Sequence, residues 1–227
     1  MKDTELHFAI AVDGPAGSGK STVAKAVAKK LGIIYVDTGA MYRTVALHCM
    51  EKGISTKDEP AVVAALDEIQ MEIQPEEGGQ RIFLNGEDVT AKIRTPEIGQ
   101  GASDVGVFQK VRERMVELQR NLAGSHSVIM DGRDIGTAVL PDAQIKIYLD
   151  ADVDERTRRR MGELLEKGEK EEFSLLREKI IKRDENDMNR VHSPLKKARD
   201  AVLLDSTGMN VEEATQAVLD IVAEKLK

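Results

Sequence analysis

The 227-residue chain has a single cysteine, Cys49, and no tryptophan. A lone thiol cannot close an internal disulfide, which excludes a disulfide-stapled secreted scaffold and fits a reducing compartment. Its setting, Leu47-His48-Cys49-Met50, reads as packing rather than catalysis. Histidine is scarce as well. His7, His48, His126 and His192 are scattered, with no ligand spacing among themselves or with Cys49, so no structural metal is expected. An excess of positive charge is also missing: 33 Lys and Arg face 40 Asp and Glu, a net charge of −7. A nucleic-acid binder would show a basic footprint instead. No apolar run approaches the roughly 18 residues of a membrane span, and the first one is interrupted at Asp13. Neither a membrane helix nor a signal peptide is expected, and the cytoplasm is the expected location. Internal repeats and low-complexity tracts are absent too.

Against these absences one stretch stands out, Ala9-Ile10-Ala11-Val12-Asp13-Gly14-Pro15-Ala16-Gly17-Ser18-Gly19-Lys20-Ser21-Thr22. It contains G-x-x-x-x-G-K-S, with an apolar run before it and a helix-compatible run after it, the strand, loop and helix context of a phosphate-binding loop. The glycines let successive N–H groups point into one cavity. The helix starting near Lys20 adds the positive end of its dipole. Residues Gly14, Pro15, Ala16, Gly17, Ser18, Gly19, Lys20, Ser21 and Thr22 are therefore expected to hold a nucleoside triphosphate. Lys20 reaches the β- and γ-phosphates, and the Ser21 hydroxyl ligates Mg²⁺.

Further along, apolar runs at 32–36, 127–131, 145–149 and 201–205 alternate with helical patterns at 40–51, 107–122, 152–167, 171–189 and 211–226. With the first strand this predicts an α/β fold, a parallel doubly wound sheet of about five strands with helices on both faces. Between them, a helical pattern at 60–70 is followed by short β-favouring runs, Met71 to Ile73 and Arg81 to Leu84. Glu76-Glu77-Gly78-Gly79 and Asn85-Gly86 supply the turns, a hairpin signal. Residues 60–100 are thus read as a small inserted α+β unit in a core of residues 1–59 and 101–227. Ligands of such sheets lie at the carboxyl ends of the strands, where Asp13, Asp37-Thr38, Asp131-Gly132-Arg133-Asp134, Asp150 and Asp205-Ser206 fall.

Three constellations bear on the acceptor. Asp37-Thr38-Gly39-Ala40-Met41-Tyr42-Arg43 puts Arg43 about one turn into a helix. Asp131 holds the place of a carboxylate reaching Mg²⁺ through water, beside Arg133 and Asp134. Arg183, Asp187 and Arg190 share a helix face at i, i+4, i+7. Arginines grip phosphate bidentately, so Arg43, Arg133 and Arg190 together suit an acceptor that already carries one. With a second pKa of about 6, such a phosphate is mostly ionised at neutral pH and needs no strong base. Asp154-Glu155-Arg156-Thr157-Arg158-Arg159-Arg160 then reads as a lid over about 154–172, and Lys20, Arg133 and Arg159 form the catalytic set. The alternative for that segment is a solvated face with pairs Asp154–Arg158 and Glu155–Arg159. Asp205-Ser206-Thr207-Gly208 also matches the D-x-x-G of a GTPase, but it sits at the last strand with no N-K-x-D after it.

Four runs in order, GPAGSGKST, DTGAMYR, MDGRDIGT and RDENDMNRVHSPLKKARDAVLLDST, resemble the bacterial cytidylate (CMP) kinase family over essentially the whole chain. The resemblance implies a nucleoside monophosphate kinase fold, with residues 60–100 as the monophosphate-binding insert. It also implies transfer of the ATP γ-phosphoryl group to CMP or dCMP with Mg²⁺, by a monomer. Position by position it implies that Thr38, Arg43 and Arg133 meet the acceptor phosphate, and that Ser103, Arg112 and Asp134 read the cytosine edge. Arg183 and Asp187 would hold the sugar, with Arg190 close to the acceptor. Thr38 stands where some members have serine, which keeps the hydroxyl. Met188 stands where serine or arginine is frequent, on a position expected to face away from the ligand. Kinases of other acceptors, such as shikimate or dephospho-coenzyme A, would have no use for the Ser103, Arg112 and Asp134 group.

Overall fold

The computed structural model describes residues 7–76, 79–166 and 168–227. The chain starts with β1 (Ala9–Asp13), α1 (Lys20–Leu31), β2 (Ile34–Asp37) and α2 (Thr38–Glu51). Next come α3 (Glu59–Ala65), β3 (Met71–Glu76), β4 (Gly79–Leu84), β5 (Glu87–Asp88), α4 (Pro96–Val105) and α5 (Gln109–Ser125). It ends with β6 (Val128–Gly132), β7 (Ile145–Asp150), α6 (Val153–Glu166), α7 (Phe173–Asn189), β8 (Val202–Asp205) and α8 (Val211–Lys225).

Five strands form one sheet in the order β2-β6-β1-β7-β8, all parallel. The chain leaves β1 for β2 and β6 on one side, then crosses it for β7 and β8 on the other. Winding therefore reverses at β1, and the carboxyl end of β1 is where such a sheet opens a ligand crevice. The period-2 pleat of β1 sends Ala11 into one apolar cluster, with Met41, Val45, Met115 and Met130, and Ile10 and Val12 into the other, with Val23, Val27, Ile147 and Val218.

The insert is antiparallel, in the order β3-β4-β5. Asn85 and Gly86 both take positive φ, 52° and 85°, the geometry that a two-residue hairpin turn between right-twisted strands requires. Residues 77–78 of the other expected turn lie outside the described residues. The insert does not bury its apolar side chains alone: Val62, Ile82, Leu84 and Ile93 join Met41 and Val45 of α2 in one cluster.

Two details differ from the sequence pattern. The helix expected over 60–70 ends at Ala65, tightens through Leu66–Glu68 and gives way to extended backbone at Ile69, which is buried with the sheet. Helix α4 was unforeseen, because Gly99 and Gly101 weaken its pattern, yet Thr95 caps it and Pro96 opens it. Gly101 is needed there: a Cβ would lie 2.7 Å from Met50 Cε and 3.0 Å from Ala46 Cβ, so α4 packs closely on α2.

Candidate active site

The loop after β1 has no room for side chains at its root. A Cβ on Gly14 would lie 2.0 Å from the Leu149 carbonyl oxygen, so β1 and β7 can approach only with glycine there. Gly17 and Gly19 take left-handed φ of 74° and 85°. Helix α1 starts with no side-chain cap and no acidic residue in its first turn, leaving its first N–H groups and dipole end for an anion. Lys20 Nζ donates to the Pro15 carbonyl at 2.8 Å. Burial and then the Arg133 guanidinium push the Lys20 ammonium down to about 7, opposed by Asp131.

Asp131, at the end of β6, accepts from Ser21 Oγ at 2.7 Å and from Tyr35 Oη at 2.8 Å. Burial first, and then Asp37, raise its carboxyl above the ordinary range. Ser21 and Asp131 are hard oxygen donors beside the phosphate loop, and they suit a divalent cation that completes its shell from phosphate and water. Thr38 Oγ1 donates to the Asp131 carbonyl at 2.7 Å.

Arg133 Nε donates to Asp187 Oδ2 at 2.7 Å, joining the β6 loop to α7. Burial, the largest single influence, favours the neutral Asp187 carboxyl, but the Arg133 charge and hydrogen bond together with the Arg183 and Arg190 charges hold it below its usual value. Arg183 of α7 is exposed to solvent, yet protein atoms crowd around it. That crowding, and then Arg133, lower it to about 10. Four cations, Lys20, Arg43, Arg133 and Arg183, are thus close enough to raise the cost of one another's charge. Mutual repulsion of this kind is relieved by polyanionic phosphate.

A second group adjoins the first. Asp134 receives Arg112 Nη2 on one oxygen and Arg190 Nη2 at 3.2 Å on the other. Arg112 lies over the Tyr42 ring, 5.7 Å from its centroid. Ser103 is exposed and donates to Gly99 within its own helix at 3.3 Å; no hydrogen bond ties it to Arg112 or Asp134 among the described residues.

Arg159, expected over the transferred group, is engaged with backbone carbonyls. It donates to the Ser18 carbonyl at 3.2 Å and the Ser206 carbonyl at 2.7 Å, so α6 fixes it against the turn after β8. The charge of its neighbour Arg160 acts on Arg43 and Arg183. The surface pairs of α6 also differ from the i, i+4 expectation in part. Arg159 does meet Glu155, but Arg158 pairs with Glu155 at i, i+3, and Asp154 with Arg177 of α7.

Several contributors escaped the sequence reading. Asp184 accepts from the Ala16 N–H at 3.2 Å, while Arg156 donates to the Ala16 carbonyl at 3.0 Å and to Asp184 at 2.5 Å. This buried pair fastens the phosphate loop to α6 and α7. Arg94 of the insert donates to Asp37 Oδ2 at 2.9 Å, and Gln80 brackets the Asp37 peptide groups. The Thr95-Pro96 cap could have flagged α4, but no sequence signal marks Arg94 or Gln80.

Residues 10–224 match the family model described as cytidylate kinase. The chain belongs to the cytidylate kinase family. A cytidylate kinase from Caldicellulosiruptor bescii is 49% identical over 96% of this chain and 96% of that protein. One from Lactobacillus gasseri is 46% identical over the full length of both, and one from Bacillus cereus 47% over 96% and 97%. Among solved structures, an uncharacterized protein from Eubacterium ventriosum aligns at a TM-score of 0.54 and 16% identity, over 96% of this chain and 99% of that one, a likeness of fold. As a cytidylate kinase family member the protein is a phosphotransferase with a phosphate-binding-loop core. Among the described residues no helix is long and apolar enough to cross a membrane.

Proposed function

We propose that this kinase transfers the γ-phosphoryl group of ATP to CMP and dCMP, yielding ADP and CDP or dCDP. The observation that carries the reading is the pairing of two adjoining groups. The cations Lys20, Arg43, Arg133 and Arg183 act on one another, which suits phosphates, and beside them Asp134 is held between Arg112 and Arg190. A carboxylate there can accept from the exocyclic amine of cytosine, which uracil lacks.

In this reading residues 14–22 hold the ATP phosphates, and Thr38, Arg43 and Arg133 hold the acceptor phosphate. Ser103 joins Arg112 and Asp134 at the base, Arg183 and Asp187 take the sugar, and Arg190 sits close to the acceptor. Ser21, with Asp131 through water, would hold Mg²⁺, which when bound neutralises charge between the β- and γ-phosphates. An oxygen of the acceptor phosphate, ionised without help, attacks the γ-phosphorus in line. The bond to the β–γ bridging oxygen breaks and its electron pair leaves with ADP. Lys20 and Arg133 stabilise the charge spread over the moving group, and Arg160 joins them from the lid in place of Arg159. Residues 60–100 act as the acceptor-binding insert and residues about 154–172 as the lid. The working form is a cytoplasmic monomer without nucleic-acid partners.

Phosphorus NMR of the protein with ATP, Mg²⁺ and CMP tests the reaction. The reading predicts the paired resonances of CDP appearing in step with ADP. Release of inorganic phosphate without CDP would overturn it.

A further inference from the structure

Asp13 ends β1 and immediately precedes Gly14, yet its side chain serves a different segment. Its two carboxylate oxygens accept from two successive backbone amides, Ile135 N at 2.7 Å and Gly136 N at 2.8 Å. Those amides open a π-helical turn, Ile135–Val139, directly after Arg133 and Asp134. The Asp134 carbonyl accepts from Ala138 and Val139 at the same turn. Asp13 is 3% exposed, and the approach is close: a Cβ on Gly136 would lie 3.3 Å from Asp13 Oδ2 and 3.2 Å from Lys146 Cδ.

We propose that Asp13 is a positioning residue that fixes the aim of Arg133 and Asp134 by capping the turn that follows them. The proposal rests on the reading of Asp134 as the base-contacting carboxylate. The β1 backbone at Asp13 is held independently, by ladder pairing with Gly132 of β6 and Tyr148 of β7. Removing the carboxylate therefore leaves the root of the phosphate loop in place and frees the acceptor side alone. Asn at this position can accept from one amide but presents an N–H₂ to the other, losing one charge-assisted bond and the charge.

The test compares wild type, Asp13→Asn and Gly136→Ala, which crowds the same contact without altering charge. Folding is checked by circular dichroism. Asp13→Asn should lower kcat/KM for CMP by roughly 10- to 100-fold, the loss of one charge-assisted bond. The CMP-to-UMP ratio of kcat/KM should fall by about fivefold or more, with KM for ATP within about threefold of wild type. Gly136→Ala should move the same ratio in the same direction, and carries the test if Asp13→Asn does not fold. Unchanged KM for CMP and an unchanged ratio in folded variants would overturn the role, as would a fall in kcat alone. A wild-type protein without preference for CMP over UMP would instead overturn the substrate reading.

Discussion

Lys20 sits in the free protein with its ammonium pushed down to about 7, first by burial and then by the Arg133 charge, with Arg183 adding to it. A triphosphate placed against the same nitrogen reverses the balance and returns the group toward its ordinary value of about 10.4. At pH 8 the free group is about one-tenth protonated, so binding should draw about 0.9 proton from solution; at pH 6 the uptake should be about 0.1. Calorimetric titration with a non-hydrolysable ATP analogue and Mg²⁺, in two buffers of different ionisation enthalpy, reads the proton count directly. Lys20→Met supplies the baseline from every other group. The sign for stability follows from the same shift. The unfolded chain binds the Lys20 proton up to about pH 10.4 and the folded chain only to about 7, so this residue's contribution improves as pH rises through that window. Lys20→Met should accordingly raise Tm at pH 6 while removing turnover. Equal proton uptake by wild type and Lys20→Met at pH 8 would refute the reasoning, because Lys20 would then be charged before nucleotide arrives.

Asp184→Ala leaves Arg156 buried without its carboxylate and the Ala16 amide without its acceptor. Breaking a buried pair costs about 3–5 kcal/mol, a fall in Tm of about 10 °C for a chain of this size, and a melting curve within about 2 °C of wild type would contradict it. Arg133→Ala removes a charged anchor and strands Asp187, so kcat/KM for CMP should fall by roughly a hundredfold or more; steady-state kinetics near wild type would take Arg133 out of the site. Arg159→Ala and Arg160→Ala should separate. The first loosens the Ser18 and Ser206 carbonyls and should raise KM for ATP, while the second should mainly lower kcat. The reverse pattern would restore Arg159 over the transferred group.

The sheet and the phosphate-binding loop were legible because both depend on local rules. Continuous apolar runs mark strands buried on two faces, and G-x-x-x-x-G-K-S fixes backbone geometry within a few residues. Arg43, Arg133, Arg183 and Arg190 were legible as a set but not their partners, and Arg112 only through the family resemblance, because Arg133–Asp187 and Arg112–Asp134 bridge 54 and 22 positions. Distances of that kind leave no periodic trace. Arg159 and Arg160 show the limit most plainly. Adjacent residues on a helix point about 100° apart, so a run of three arginines announces a lid but not which one faces the cleft. Asp13 was visible as an unusual residue at a strand end; that it caps a turn more than a hundred residues away follows only once β1 and β6 pair. Gln80 and Arg94 had no signature, since each acts by reaching the end of β2 from the insert.

A site built this way should accept a cytosine monophosphate. A coupled ADP-release assay with ATP, Mg²⁺ and each of CMP, dCMP, UMP, AMP and GMP tests it most directly. Strong turnover is expected with CMP and dCMP, weak turnover with UMP and negligible turnover with the purines. Turnover with none of the five, or a purine preferred over CMP, would contradict it.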